Sequence, residues 1–310
     1  MNVGMVGLGR MGGKMARRLL RHGHAVVGYD RDERNVRGLA EAGAEGADSL
    51  EELLTRLQPP RAVWCMLPAG APTEETVERL LPLLAPGDVL LDGANSRFTD
   101  SVRRAARAAE RGVDFLDVGV SGGIWGLEQG YCLMVGGPRG AFERVEPLFR
   151  ALAPESGYAH VGPSGAGHFA KMVHNAIEYG MLQAYAEGFE LLRARPEFRL
   201  DLRQIAELWL HGSVIRSWLL ELAARAFARD PELAGIRGWV EDSGEGRWAV
   251  MEAVERAVPF PAIAGALFAR FRSRQEDGFA ARVIAALRAE FGGHAVRPAD
   301  DAGAGPGGAA

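Results

Sequence analysis

Lysine is almost missing from this 310-residue chain: of 36 basic residues only Lys14 and Lys171 are lysines, and the rest are arginines. Where a positive charge alone suffices the chain uses Arg, so a surviving Lys marks a position where an amine able to lose its proton has a use. Cysteine is scarce too. Cys65 and Cys132 each sit in a short apolar run, which reads as two buried thiols in a reducing compartment. Two unclustered cysteines exclude both a disulfide framework and a cysteine zinc site, so no metal is expected. Long apolar runs are absent, each stretch being broken by Gly or Pro, which excludes a membrane-spanning helix. The N-terminus enters a strand pattern without a basic leader or cleavage site, so a cytoplasmic protein is expected. Net charge is −4, and no basic cluster points to nucleic acid. Glycine, in contrast, is abundant at 41 residues, well above the usual share of about 7%. That excess signals turns or close approach of backbone to a ligand.

Up to residue 163, short apolar runs alternate with helical patterns. Strands are predicted at 2–6, 25–29, 62–67, 89–92, 115–118 and 132–135, with amphipathic helices such as 11–21, 74–84 and 100–111 between them. That alternation predicts an α/β Rossmann-type domain over 1–163, a parallel, doubly wound sheet. Beyond a Gly-rich linker at 162–167 the chain reads as an all-α domain over 164–297. Its helices are predicted at 166–193, 202–210, 215–228, 247–257 and 263–272. Residues 298–310, rich in Gly and Ala, predict a disordered tail.

Gly7-Leu8-Gly9-Arg10-Met11-Gly12 stands between the first strand and the first helix. The first glycine permits a tight turn and the second lets backbone amides reach a pyrophosphate. The third lets helix and strand pack closely, and the helix N-terminus favours the phosphate charge. Asp30 ends the second strand, where a carboxylate accepts hydrogen bonds from ribose hydroxyls and repels a 2′-phosphate, favouring NAD over NADP. The neighbouring Arg31 works the other way, since it can accept that phosphate. In open α/β sheets ligands lie beyond the carboxyl ends of strands, so Leu67, Pro68 and Ala69 after the third strand and Asn95 after the fourth are expected around the nicotinamide. A Gly-rich turn that binds nothing is the competing reading, and the strand–turn–helix context argues against it.

Lys171, His174, Asn175 and Glu178 fall at i, i+3, i+4 and i+7, one face of two helical turns. Phe169, Met172, Val173, Ile177, Met181 and Leu182 surround them, an apolar surface broad enough to predict a buried helix. Its polar stripe must then line a cleft or find partners. A solvated stripe or an internal Lys–Glu pair is the alternative, but a salt bridge could have used Arg, whereas acid–base chemistry on a hydroxyl requires a group that releases its proton. Lys14 reads as exposed or as a minor phosphate contact. Ser121-Gly122-Gly123, after the fifth strand, offers a hydroxyl and bare amides suited to a carboxylate or hydroxyl, or is simply a turn.

With these residues in place the chain, from 2 to about 297, resembles the 6-phosphogluconate dehydrogenases within the wider β-hydroxyacid dehydrogenase superfamily. The fingerprint and Ser121-Gly122-Gly123 resemble the superfamily. The run Lys171-Met-Val-His174-Asn175-Ala-Ile-Glu178-Tyr179 resembles the phosphogluconate branch, as does Asp92-Gly93-Ala94-Asn95-Ser96. Phe268-Ala269-Arg270 is similar to a family element whose Arg grips substrate. Arg288-Ala-Glu-Phe-Gly-Gly-His294 is similar to a C-terminal segment that reaches a neighbouring subunit's site, which implies a homodimer or homotetramer. The chain looks like the short, NAD-linked branch. It departs from long members at Ser243 and Glu245, where they place a Lys and a Thr against the substrate.

The resemblance implies oxidative decarboxylation of 6-phosphogluconate to ribulose 5-phosphate in pentose phosphate or gluconate metabolism. Lys171 would be the base, Glu178 the acid, and Asn95, Ser121, Gly122, Gly123, His174 and Asn175 substrate contacts. Tyr179, Arg270 and Arg288 would bind the phosphate, and His294 would be a further substrate contact. The alternatives are a dehydrogenase for an unphosphorylated acid of the 3-hydroxyisobutyrate kind, which the acidic Glu245 favours, and a non-catalytic NAD-binding regulator, which an acid and a base on one face argue against.

Overall fold

The computed structural model describes residues 1–292 and 295–297; His294 and the segment 298–310 lie outside the described residues. The chain forms two compact units, Met1–Glu178 with Gly244–Pro259, and Tyr179–Ser243 with the described residues from Phe260 on. The composition changes character at residue 163, whereas the packing divides within the long helix that follows.

The first unit runs β1 (Asn2–Val6), α1 (Gly12–Arg21), β2 (Ala25–Tyr29), α2 (Glu33–Ala40), β3 (Glu45–Gly46), α3 (Leu50–Thr55), β4 (Ala62–Cys65), α4 (Ala71–Leu80), β5 (Val89–Asp92), α5 (Phe98–Ala109) and β6 (Asp114–Ser121). It continues with α6 (Gly126–Gln129), β7 (Cys132–Gly136), α7 (Arg139–Leu152), β8 (Tyr158–Gly162) and the first part of α8 (Ala166–Arg193). The eight strands form one sheet in the order β3-β2-β1-β4-β5-β6-β7-β8. The central strands are apolar on both faces, as a sheet covered on both sides requires. Met5, Trp64 and Leu91 pack into one core layer with Phe149. Val6, Val63, Cys65 and Leu90 enter the layer on the opposite face with Leu53 and Leu80.

The sheet is not wholly parallel. β7 pairs antiparallel with β6, and β8 runs parallel to β7, because the chain between β6 and β7 is too short for the helical crossover a parallel return needs. That connection holds a 3₁₀ turn and the one-turn helix α6. β3 and β8 escaped the sequence pattern. β3 is two residues long, and the edge strand β8 alternates half-buried and exposed positions without an apolar run. The strand expected at 62–67 stops at Cys65. Cys65 is buried, but Cys132 is exposed, because β7 turns Leu133 and Val135 into the core and so puts Cys132, on the alternate face, outside.

α8 spans 28 residues, the length the sequence predicts, but its burial differs from the expectation. Met172, Ala176 and Tyr179 are buried, while Phe169, Ile177, Met181 and Leu182 on other faces are exposed. α11 (Glu245–Glu255) belongs to the first unit. In the second unit α9 (Leu202–Trp209) and α10 (Trp218–Arg229) close a small core of Ala206, Leu220, Ala224 and Phe227 on Phe189 of α8. α12 (Pro261–Arg272) and α13 (Phe279–Gly292) complete it. No helix among the described residues is long and apolar enough to cross a membrane.

Candidate active site

The glycine fingerprint forms a loop closed toward the protein and open on one side. A Cβ on Gly12 would lie 1.9 Å from the Gly7 carbonyl oxygen, and one on Gly7, whose φ is +87°, 2.4 Å from the Met66 carbonyl oxygen. Nothing stands within 4 Å of where a Cβ on Gly9 would be. That is the cradle a pyrophosphate needs, with close packing beneath and bare backbone above. α1 starts directly behind it with no side-chain cap at Met11. Beside it lies a cleft of about 350 Å³ lined by Gly7, Gly9, Asp30, Arg31, Leu67 and Pro68. The Asp30 carboxylate is fixed at this cleft by two backbone donors, Leu8 N–H at 2.6 Å and Asp32 N–H at 2.8 Å. Each oxygen keeps a lone pair for a ribose hydroxyl. Leu8 itself is buried and serves through its backbone, whereas Arg10, Ala69 and Asn95 are exposed. These residues fit a dinucleotide. Lys14 donates from its Nζ to the Ile124 carbonyl at 2.9 Å and ties α1 to the loop after β6.

The loop carrying Asn95 is braced from inside. Arg104, 1% exposed, donates from Nη1 to Asp92 Oδ2 at 2.9 Å and to Ser96 Oγ at 3.1 Å, and from Nε to Glu74 Oε2 at 2.8 Å. Asp92 also accepts from Ala94 N–H and Ser96 Oγ. The loop's backbone is therefore held on both sides of Asn95.

On α8, Lys171 is 9% exposed, an unusual burial for an amine. Burial lowers its pKa below the ordinary lysine value, and the charges of Glu178, Glu245 and Cys132 pull it partly back up. Of the stripe read from spacing, Glu178 is close enough to Lys171 to act on its charge. His174 Nε2 lies 3.3 Å from Ser121 Oγ and its Nδ1 3.1 Å from Asn175 Oδ1, so the Ser-Gly-Gly turn and the stripe face one another. Sequence spacing missed two of Lys171's neighbours. Glu245 is 3% exposed at the start of α11, and Cys132 stands opposite Ser121 in the β6–β7 register. Both come from distant segments, and only the departure from the family pattern at Glu245 drew attention to either.

In the second unit, Arg270 stacks its guanidinium 3.3 Å from the centre of the Tyr179 ring and donates to the Glu241 carbonyl at 3.1 Å. The Tyr179 hydroxyl is buried with no hydrogen-bond partner among the described residues. Arg288 is exposed on α13.

Residues 2–162 match the model of the NAD binding domain of 6-phosphogluconate dehydrogenase, and residues 167–289 match that of its C-terminal domain. A Bacillus subtilis protein provisionally named a 6-phosphogluconate dehydrogenase is 46% identical over 296 residues, 96% of this chain and 99% of its own. An NAD(+)-dependent, decarboxylating 6-phosphogluconate dehydrogenase of Haloferax volcanii is 45% identical over 97% of this chain and all of its own. The solved Plasmodium falciparum 6-phosphogluconate dehydrogenase superposes with a TM-score of 0.80 at 27% identity, over 97% of this chain and 67% of that one. A 3-hydroxyisobutyrate dehydrogenase of Mycobacterium tuberculosis shares the fold, with a TM-score of 0.71 at 24% identity over 93% of this chain and 99% of that one. A nucleotide cradle, a buried lysine on the helix whose His174 meets the Ser-Gly-Gly turn and matches along both halves of the chain converge, and the protein belongs to the 6-phosphogluconate dehydrogenase family.

Proposed function

We propose that the protein catalyses the NAD-linked oxidative decarboxylation of 6-phosphogluconate to ribulose 5-phosphate and carbon dioxide. The observation that carries this reading is Lys171: a buried amine with a pKa lowered by its burial, on one helix face with Glu178. Gly7, Leu8, Gly9, Arg10, Met11 and Gly12 would hold the dinucleotide pyrophosphate, Asp30 and Arg31 the ribose, and Leu67, Pro68, Ala69 and Asn95 the nicotinamide end. Bound NAD supplies the hydride acceptor. The Asp30 carboxylate, already fixed by two amides, favours NAD over a 2′-phosphorylated dinucleotide.

Neutral Lys171 accepts the proton of the C3 hydroxyl as that carbon is oxidised. The resulting β-keto acid loses carbon dioxide because the ketone takes up the electron pair, and Lys171 returns its proton to that oxygen. Glu178 then protonates C1 of the enediol while Lys171 takes back the hydroxyl proton, which leaves the ketone of the product. Ser121, Gly122 and Gly123 hold the carboxylate end, while His174 and Asn175 hold hydroxyls. Tyr179, Arg270 and Arg288 serve the phosphate, where an Arg can fork bidentately, and His294 is a further substrate contact. The orphaned Tyr179 hydroxyl supports this role. The exposed apolar residues of α8, with the resemblance of the C-terminal segment, support a homodimer or homotetramer in which that segment completes a neighbour's site.

A buried carboxylate at Glu245 favours the second reading, an unphosphorylated hydroxy acid as substrate. Steady-state formation of reduced cofactor from 6-phosphogluconate and from 3-hydroxyisobutyrate, each with NAD and NADP, decides between them. The first reading expects turnover with 6-phosphogluconate and NAD, together with release of carbon dioxide. Turnover with 3-hydroxyisobutyrate alone would replace it with the second.

A further inference from the structure

Asp117 is a buried charge to which the mechanism gives no role. Asp117 lies in β6 with no solvent exposure. Its Oδ1 accepts the Gly165 backbone N–H at 2.7 Å and its Oδ2 the His168 N–H at 2.9 Å. Both donors belong to the turn that starts α8, one turn before Lys171. An uncapped helix start leaves its first N–H groups without partners, and a carboxylate there satisfies them and complements the helix dipole. In most helices the cap comes from the residue just before the helix. Here it comes from a strand 48 residues upstream of Gly165, so the cap also fastens the helix to the sheet.

The sheet is shaped to receive it. A Cβ on Gly167 would lie 2.2 Å from the Asp117 carbonyl oxygen and 2.5 Å from that of Met134. One on Gly136, the β7 residue opposite Asp117, would lie 2.6 Å from Asp117 Oδ1 and from the Gly167 N. One on Gly119 would lie 2.5 Å from the Lys171 Cβ. The first turns of α8 thus rest on bare backbone of β6 and β7. The His168 ring faces away from the carboxylate's role: its Nδ1 is 2.6 Å from Ser101 Oγ, and its Nε2 is buried with no partner among the described residues.

We propose that Asp117 is the positioning residue of Lys171: its two backbone hydrogen bonds set the height and rotation of α8 on β6, and so the place of the amine. This rests on Lys171 being the base, but its test does not. Asp117→Asn keeps the shape, yet turns one acceptor into a donor aimed at a backbone N–H. The turn from Gly165 to His168 then keeps one of its two anchors and meets a repelling donor at the other, and Lys171 gains water.

With only two lysines in the chain, selective lysine ¹³Cε labelling gives two signals, assigned with Lys14→Arg. Glu178, Glu245 and Cys132 are the charged or titratable groups facing Lys171, and all remain in the variant. The Lys171 signal is expected to titrate closer to an ordinary lysine in Asp117→Asn than in the wild type. Turnover with 6-phosphogluconate should fall at least about tenfold, the order expected for a base displaced by a fraction of an ångström, with KM for NAD within about twofold. A lowered Tm with an unchanged Lys171 titration overturns the proposal, because a purely structural cap would do only that. If the wild type fails to turn over 6-phosphogluconate, the reaction reading falls while the titration still decides the role of Asp117. Should Asp117→Asn not fold, Asp117→Ser keeps one acceptor and is read the same way, a wild-type titration again overturning the proposal.

Discussion

Gly119→Ala is the sharpest perturbation available at Lys171, the proposed base. The new Cβ would stand 2.5 Å from the Lys171 Cβ and 2.8 Å from the Gly167 carbonyl oxygen. Carbon atoms in contact prefer about 3.5–4.0 Å, so roughly 1 Å of separation must be found. Neither obstacle is a flexible side-chain end. One is the root of Lys171 and the other is backbone of the first turn of α8, and that turn is held by the two Asp117 hydrogen bonds. Overpacking of this kind costs about 1–3 kcal/mol of stability, and a displacement near 1 Å at a catalytic group costs about a hundredfold in rate. Thermal denaturation and steady-state kinetics with 6-phosphogluconate and NAD read both effects. The expected result is a folded protein with kcat down by about two orders of magnitude and KM for NAD unchanged, since the cleft at Gly9 and Asp30 lies on other strands. A variant with wild-type kcat would refute the reasoning: the contact at Gly119 would then not set where the base stands.

Glu245→Gln removes a charge that raises the Lys171 pKa. The base must be neutral to act, so kcat/KM falls as pH drops through that pKa, and the variant's acid limb should lie at lower pH than the wild type's; an opposite shift would remove Glu245 from the base's surroundings. Arg104→Met leaves the fully buried Asp92 carboxylate without its cation, a loss of about 3–5 kcal/mol to be read by urea denaturation, and a change below about 1 kcal/mol would mean that the network is not coupled to the fold. Asp30→Ser removes the charged acceptor held at the dinucleotide cleft, so KM for NAD should rise by about tenfold or more while that for NADP changes less; equal changes would separate Asp30 from cofactor choice.

The fingerprint and α8 were legible because their signals are local. Gly7, Gly9 and Gly12 are spaced by the turn they make, and Lys171, His174, Asn175 and Glu178 by one helix face. What stayed hidden depends on pairing between distant segments. Asp117 in a strand looks like any carboxylate until β6 is seen beneath α8, although the glycine two residues on was a hint, since a glycine inside a strand often marks a close approach. The direction of β7 follows from the length of the connection before it, a constraint that composition does not display. Apolar periodicity correctly gave the length of α8 but not its burial, because Phe169, Ile177, Met181 and Leu182 have the same chemistry whether covered or bare. Glu245 was visible as a departure from a pattern, but its closeness to Lys171 needed the fold.

The scarcity of lysine gains a physical sense at this site. Burial alone would give an amine that is neutral but reluctant to hold the proton it removes. Two carboxylates alone would give an ammonium that never lets go. The proposed reaction asks for both states in turn, a neutral amine at the C3 hydroxyl and a proton donor when carbon dioxide leaves. At Lys171 burial is the largest influence and lowers the pKa, while Glu178 and Glu245 oppose it. Arginine could not serve. Its guanidinium keeps its proton above pH 12, and the same burial would leave a permanent charge instead of a base. A chain that uses Arg almost everywhere for charge and keeps a Lys here has retained the one basic side chain whose proton this environment can move.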